Sequence, residues 1–259
     1  ARARSTTREI VRALLDGDMR DAINDDEFAD FETTVRPRAE AARIAQSCLE
    51  EGVEDWLSDP ATPREVGEHY RRAVQFSEGH QDRDRTYRQL LADLNAASDG
   101  DARNRAADAV RSQYRDADPD APATLFSAEE DLPYFGTQYE RVGIIYEDML
   151  NMYEAVLSID LGRAFKRSLV LMVIAAQVGL DDTDDYPVDK GTQLTPVTAE
   201  LNLHEPAAGV NRLRRIVLAY LEGAAASAPD HLTGMAIEFI RQEALDRLAA
   251  LEQTVTATP

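Results

Sequence analysis

The stretch Ser168 to Leu180, SLVLMVIAAQVGL, limits what this chain can fold into more than any other, because it has a single polar interior position, Gln177. A helix of that composition is apolar nearly all round and belongs in the middle of a core. The densest acid in the protein follows at once: Asp181, Asp182, Asp184 and Asp185, then Asp189. Carboxylates leaving the C-terminal end of a helix run against its macrodipole, which favours cations there. The conflict asks for a compensating cation, and a divalent metal is the candidate it raises.

The rest of the chain reads as helices around that one. Ile10, Val11, Leu14, Leu15 and Met19 recur at three- and four-residue intervals, predicting an amphipathic helix from Arg4 to about Ile23. A second helix is predicted from Glu32 to Leu57, with an inward face of Ala41, Ile44, Ala45, Cys48, Leu49, Val53 and Trp56. Thr62-Pro63-Arg64-Glu65 combines an N-cap, a proline at N1 and a glutamate at N3, a strong helix start. That helix reaches Leu94 if it crosses Gly79, and a more polar one covers Asp101 to Tyr114. Pro119, Pro122 and Pro133 make 116–133 the best linker candidate in what otherwise reads as one domain, and Ser127 to Glu130 forms a second capping box.

A helix from about Tyr134 to Ser158 carries the stripe Tyr139, Val142, Tyr146, Met149, Tyr153, Val156, read as a core seam in preference to a pocket lining. Gly191 to Asn202 reads as loop, Glu205-Pro206 opens a helix to about Ala226, and Pro229-Asp230 starts a last one ending near Leu251. No alternating strand of convincing length appears, nor any hairpin signal. The predicted fold is all-α, a bundle of about eight helices with the segment 161–180 buried at its centre.

Charge excludes some functions. With 48 Asp and Glu against 28 Lys and Arg, a formal charge of −20, and no basic run, the chain has no surface for nucleic acid. Lys166 and Lys190 are the only lysines, and the acid is dispersed, as in proteins of salt-accumulating, archaeal-like halophiles whose charge maintains solubility. One cysteine, Cys48, rules out an internal disulfide and a cysteine zinc site, and its apolar context predicts a structural thiol. His69, His80, His204 and His231 show no metal-binding spacing and read as surface or cap residues. The start ARARSTTREIVRALL lacks a signal-length apolar stretch, and the longest apolar run falls short of the roughly 20 residues a membrane span needs. The expectation is a soluble cytoplasmic protein.

Magnesium takes hard oxygen ligands, commonly one or two carboxylates, with water and substrate phosphates completing the octahedron. Asp181 and Asp185 are four apart and Asp182 and Asp185 three apart, so each pair shares a face if the helix persists one more turn. That spacing suits a bridged metal. It equally suits a solvated helix exit in a chain that is acidic everywhere, although dispersed surface acid does not explain acid at the mouth of the most hydrophobic helix.

Gln177, the run Asp181-Asp182-Thr183-Asp184-Asp185 and the loop Lys190-Gly191-Thr192-Gln193-Leu194-Thr195-Pro196 resemble the second aspartate-rich region of class I isoprenoid synthases, over about twenty residues. Polyprenyl diphosphate synthases have a glutamine before a DDxxD and a lysine- and threonine-bearing loop ending in proline after it. Asp185-Tyr186-Pro187-Val188-Asp189 is similar to the DxxxD of squalene and phytoene synthases. The resemblance implies an all-α enzyme whose aspartates bind Mg²⁺ ions that hold a prenyl diphosphate and assist its ionisation. It makes Asp181, Asp182 and Asp185 metal ligands and Lys190 the counter-charge of the diphosphate. The family's first acidic motif would fall on Glu50-Glu51-Gly52-Val53-Glu54-Asp55, with Glu51 and Glu54 as further ligands. By analogy a homodimer is implied as well. The competing expectation is a non-catalytic helical protein that acts by binding a partner.

Overall fold

The computed structural model describes residues 2–24, 37–114, 137–191, 193 and 195–257. Among the described residues the regular elements are ten α-helices and one π-turn, with no strand. They divide into two compact units, Ala1–Gln81 with Glu147–Leu161, and Asp82–Tyr146 with Gly162–Pro259. Both units are therefore assembled from two separate stretches of chain. The linker candidate 116–133 and the capping box within it lie outside the described residues.

Unit 1 is built from α1 (Arg2–Asn24), α2 (Arg38–Ser58), the first part of α3 (Arg64–Ala96) and the second part of α5 (Thr137–Leu157). Its core joins Ile10 of α1, Val53 of α2, Val66 and Tyr70 of α3, and Met152 and Val156 of α5, with Trp56, Met149 and Tyr153 packed against them. The lower half of the tyrosine-bearing stripe is thus a core seam. The buried side of α2 agrees with the predicted one at Val53 and Trp56 and differs elsewhere: Ala42 and Gln46 are buried in place of Ile44 and Cys48. Ile44 and Cys48 are exposed, so Cys48 is no structural thiol. The inward position of Gln46 has a polar partner: its amide donates to a buried carboxylate, Asp16 of α1, at 2.7 Å, so burying it strands no group.

Unit 2 contains the remainder of α3, α4 (Gly100–Tyr114), the first part of α5, α6 (Arg163–Ala176), a π-turn (Gln177–Asp181), α7 (Asp182–Asp189), α8 (Pro196–Leu203), α9 (Pro206–Ala226) and α10 (His231–Ala257). Val170, Leu171, Ile174, Ala175 and Val178 have at most 1 % of their surface exposed, so one side of the segment expected to be central is fully covered in the core of unit 2. Helix α6 packs on α9, which packs in turn on α10. Even Ser168 is buried, its hydroxyl donating to the carbonyl of Ala224 at 2.9 Å. Val173 is only half-buried, which confines the fully covered side of α6 to the line through Val170, Leu171 and Ile174.

Two predicted boundaries are corrected. The segment read as loop from Gly191 to Asn202 contains α8, started by Thr195, whose hydroxyl accepts from the Thr198 N–H, while Pro196 fills N1. Threonine replaces the glutamate or glutamine usual at N3, which hid the signature. Helix α10 runs on to Ala257, beyond the stop expected near Leu251.

Candidate functional site

Helix α6 does not stop where the acid begins. It opens at Gly162, whose φ of 79° suits glycine, and runs through the π-turn into α7. A π-turn closes i→i+5 and so holds one residue more than an α-turn. The carbonyl of Val178 takes the Thr183 hydroxyl at 2.8 Å, a side-chain bond within the widened stretch. The turn lies tight against its neighbours: a Cβ built on Gly179 would stand 2.6 Å from the Cβ of Ala244 on α10 and 3.3 Å from a methyl of Val217 on α9.

This geometry sets the carboxylates. The Gln177 side-chain amide donates to Asp181 Oδ2 at 2.5 Å and to Asp182 Oδ1 at 3.1 Å, one neutral group tethering two anions. Asp182 is buried, whereas Asp181, Asp184 and Asp185 are exposed. Asp184 accepts from Arg247 Nε of α10 at 2.8 Å, and Arg247 also holds Glu243 at 2.7 Å. Although its side chain is exposed, partial desolvation, and then the neighbouring charges of Asp181 and Asp184, push the Asp185 carboxyl above the usual range. None of α6, the π-turn and α7 carries a basic residue in its last turn, so the helical segments themselves do not answer the acid. Lys190 follows as the C-cap of α7, exposed, its backbone N–H donating to the Tyr186 carbonyl at 3.0 Å.

The expected site residues thus fall into separate sets. Asp181 and Asp182 meet at Gln177, with Asp185 coupled to Asp181 through its charge. Glu51 and Glu54 belong to unit 1, on the exposed side of α2. Among the described residues no three His, Cys, Asp or Glu side chains form a group that could hold a metal ion unaided. The donors that are present, two tethered carboxylates, match the chemistry of Mg²⁺, which commonly keeps water and phosphate oxygens on its other positions. Two hollows of about 380 and 440 Å³ include none of these residues; the first is lined by Glu9, Arg12 and Trp56 in unit 1, the second by Leu90, Asp93 and Arg105 in unit 2.

Unit 1 holds two polar clusters that the sequence reading did not find. Asp16, 1 % exposed, accepts from the Tyr70 hydroxyl at 2.8 Å and the Gln46 amide at 2.7 Å, and pairs with Arg20 at 3.0 Å. Burial, then the bond to Asp16, raises the tyrosine's pKa, so the hydroxyl stays a donor. Asp148, fully buried on α5, meets His69 Nδ1 at 2.9 Å and Arg72 Nε at 3.0 Å, and Arg72 continues to Glu147 at 2.9 Å. His69 is therefore in contact with a buried carboxylate and is not a plain surface residue. Both aspartates stand in register with the apolar stripes of their helices, Asp16 after Ile10 and Ala13, Asp148 before Met152, and that register was the available signal.

Comparison with protein families, with curated proteins and with solved structures finds no match for this chain.

Proposed function

We propose that the acidic end of the central helix in unit 2 binds Mg²⁺ together with the diphosphate of a prenyl substrate, as a class I isoprenoid synthase does. The observation that carries this reading is the π-turn. In the prenyl-synthase pattern the glutamine stands one residue closer to the first aspartate than Gln177 stands to Asp181. A π-turn takes up one residue, and across this one Gln177 still reaches both Asp181 and Asp182. Single π-turns inside α-helices are frequent at functional sites.

In this reading Asp181, Asp182 and Asp185 face the metal and Lys190 the diphosphate, with Glu51 and Glu54 as the counterpart of the family's first acidic motif. Gln177 fixes the two aspartates it bonds, and Arg247 draws Asp184 toward α10. When bound, the metal supplies positive charge where the leaving diphosphate gathers negative charge. The same resemblance brings a homodimer with it.

Thermal denaturation at fixed ionic strength tests the proposal. A ligand that binds only the native state stabilises it by RT ln(1 + [L]/Kd), so Mg²⁺ with pyrophosphate, or with a prenyl diphosphate, should raise the Tm by more than the two added separately. Asp181→Asn with Asp185→Asn should remove that excess and leave the unliganded protein folded, while calcium controls for simple screening. No excess in the wild type, or the same excess in the double variant, overturns the enzyme reading and leaves partner binding in its place.

A further inference from the structure

The hollow of about 380 Å³ in unit 1 has a wall that fixes charge in place. Glu9 of α1 is only 7 % exposed, and its two oxygens take Arg8 Nε at 2.9 Å and Arg12 Nη1 at 2.6 Å. A carboxylate so deeply covered is costly unless it is paired, so it holds both guanidinium groups to itself. Arg12 also crosses onto α2, where Nη1 donates to the Gly52 carbonyl at 3.3 Å. A Cβ on Gly52 would stand 2.9 Å from both Cδ and Nη1 of Arg12, so the arginine can lie there only because the residue is glycine. Glu9 and Gly52 engage Arg12 through Nη1 alone, and the guanidinium keeps its other N–H donors. The residues that α2 contributes to the same hollow differ in kind: Asp55 and Trp56, with Asp59 at the C-cap. Trp56 packs against the apolar core of unit 1 and is the only tryptophan of the chain.

We propose that this hollow binds a free α-amino acid with an apolar side chain, its carboxylate on Arg8 and Arg12, its ammonium beside Asp55 and Asp59, and its side chain on Trp56 and Val156. The inference rests on unit 1 alone and does not depend on the metal reading. Charge selects the occupant: a plain anion would also meet Asp55 and Asp59, and a plain cation would also meet Arg8 and Arg12, whereas a small zwitterion answers both sets. The planar guanidinium fork matches a carboxylate, and an ammonium near an indole face gains a cation–π contact. Size agrees as well, because small-molecule sites are commonly clefts of ~300–1,000 Å³ and this hollow lies at the lower end. Arg12 is already held by Glu9 and Gly52 before any ligand arrives, so little side-chain freedom is lost on binding.

Trp56, as the single tryptophan, reports on the hollow directly. Titration of the full chain with L-leucine in constant KCl, read by tryptophan emission, should give a saturable change. Leucine amide, which lacks the anion, and N-acetylleucine, which lacks the cation, should each bind about tenfold more weakly or worse, since each forfeits its charged hydrogen bonds. Arg12→Gln should weaken leucine by about the same factor. Gly52→Ala keeps every charge, suits a helix, and pushes the Arg12 side chain off its path, so it should weaken leucine with the helical circular dichroism unchanged. Where Arg12→Gln fails to fold, Gly52→Ala decides. No saturable change up to the solubility limit of leucine overturns the proposal. Amide or N-acetyl binding equal to that of leucine overturns the zwitterion and assigns the hollow to a cation or an anion, and a leucine response unaltered by Gly52→Ala places the binding elsewhere and overturns it as well.

Discussion

Gly179→Ala adds one methyl group at the place where the π-turn meets α10. In an open helix the change is favourable by about 1 kcal/mol, because alanine loses less backbone entropy than glycine. Here the new Cβ would stand 2.6 Å from the Ala244 Cβ. Carbon atoms in good contact stand about 3.5–4.0 Å apart, so the approach is short by about 1 Å. The obstructing atom is fixed to the backbone of α10 and cannot swing aside, and Val217 closes a second direction at 3.3 Å. Overpacking of this kind costs about 1–3 kcal/mol, and a rigid neighbour places it toward the upper end. The steric effect therefore wins over propensity, with a net loss of about 1–2 kcal/mol and a Tm fall of roughly 2–4 °C per kcal/mol in a chain of this size. Thermal and urea denaturation followed by circular dichroism measure it. Gly234→Ala on the same α10, where an added Cβ meets nothing within 4 Å, should be neutral or stabilising by up to about 1 kcal/mol. Removing the obstruction with Ala244→Gly should make the two changes couple, the double variant losing less than the sum of the singles. A Gly179→Ala protein as stable as the wild type, or an additive double variant, refutes the contact.

The buried cluster in unit 1 gives a second expectation: Asp16→Ala strands the Tyr70 hydroxyl, the Gln46 amide and Arg20 and should cost about 3–5 kcal/mol, whereas Tyr70→Phe removes one bond and should cost about 1–2, both read from urea denaturation. A third concerns pH: the folded protein holds the Asp185 proton more readily than the unfolded chain does, so the favourable contribution of this group is present below the unfolded value and is lost as pH rises through the folded one. Asp185→Asn should consequently melt higher than wild type at neutral pH, and melting curves at descending pH should see that advantage close once the ordinary carboxylate range is passed.

Hydrophobic periodicity carried most of the fold. Ser168 to Leu180 announced a buried helix because no other use of so apolar a run was available, and Val170, Leu171 and Ile174 are as covered as that argument requires. The stripe through Met149, Tyr153 and Val156 was legible for the same reason. Polar groups inside the core were not. In a chain with 48 acidic residues one more aspartate is a faint signal: Asp16 and Asp148 are marked in the sequence only by their register with an apolar stripe, and what makes them a core feature is the partners brought from α2 and α3. Gln46 illustrates that blindness, since a polar residue passed over as surface donates to the buried Asp16 carboxylate. At the candidate site the acid was evident, but the π-turn was not, because a widened turn depends on what packs against it, here Ala244 and Val217 at Gly179, and not on local propensity.

The order in which unit 1 receives its core has a consequence for synthesis. Ile10, Val53, Val66 and Tyr70 are translated early, but Met152 and Val156, which complete the cluster, lie beyond a long stretch that belongs to unit 2. Asp148 likewise reaches His69 and Arg72 only when that late segment arrives. A nascent chain halted before Glu147 therefore carries an open apolar surface, the species most exposed to misassembly. One halted after Leu161 holds every residue that unit 1 uses, although none of α6 to α10 has been made. Unit 1 can therefore be complete before unit 2 is, and a short segment of α5 acts as its latch.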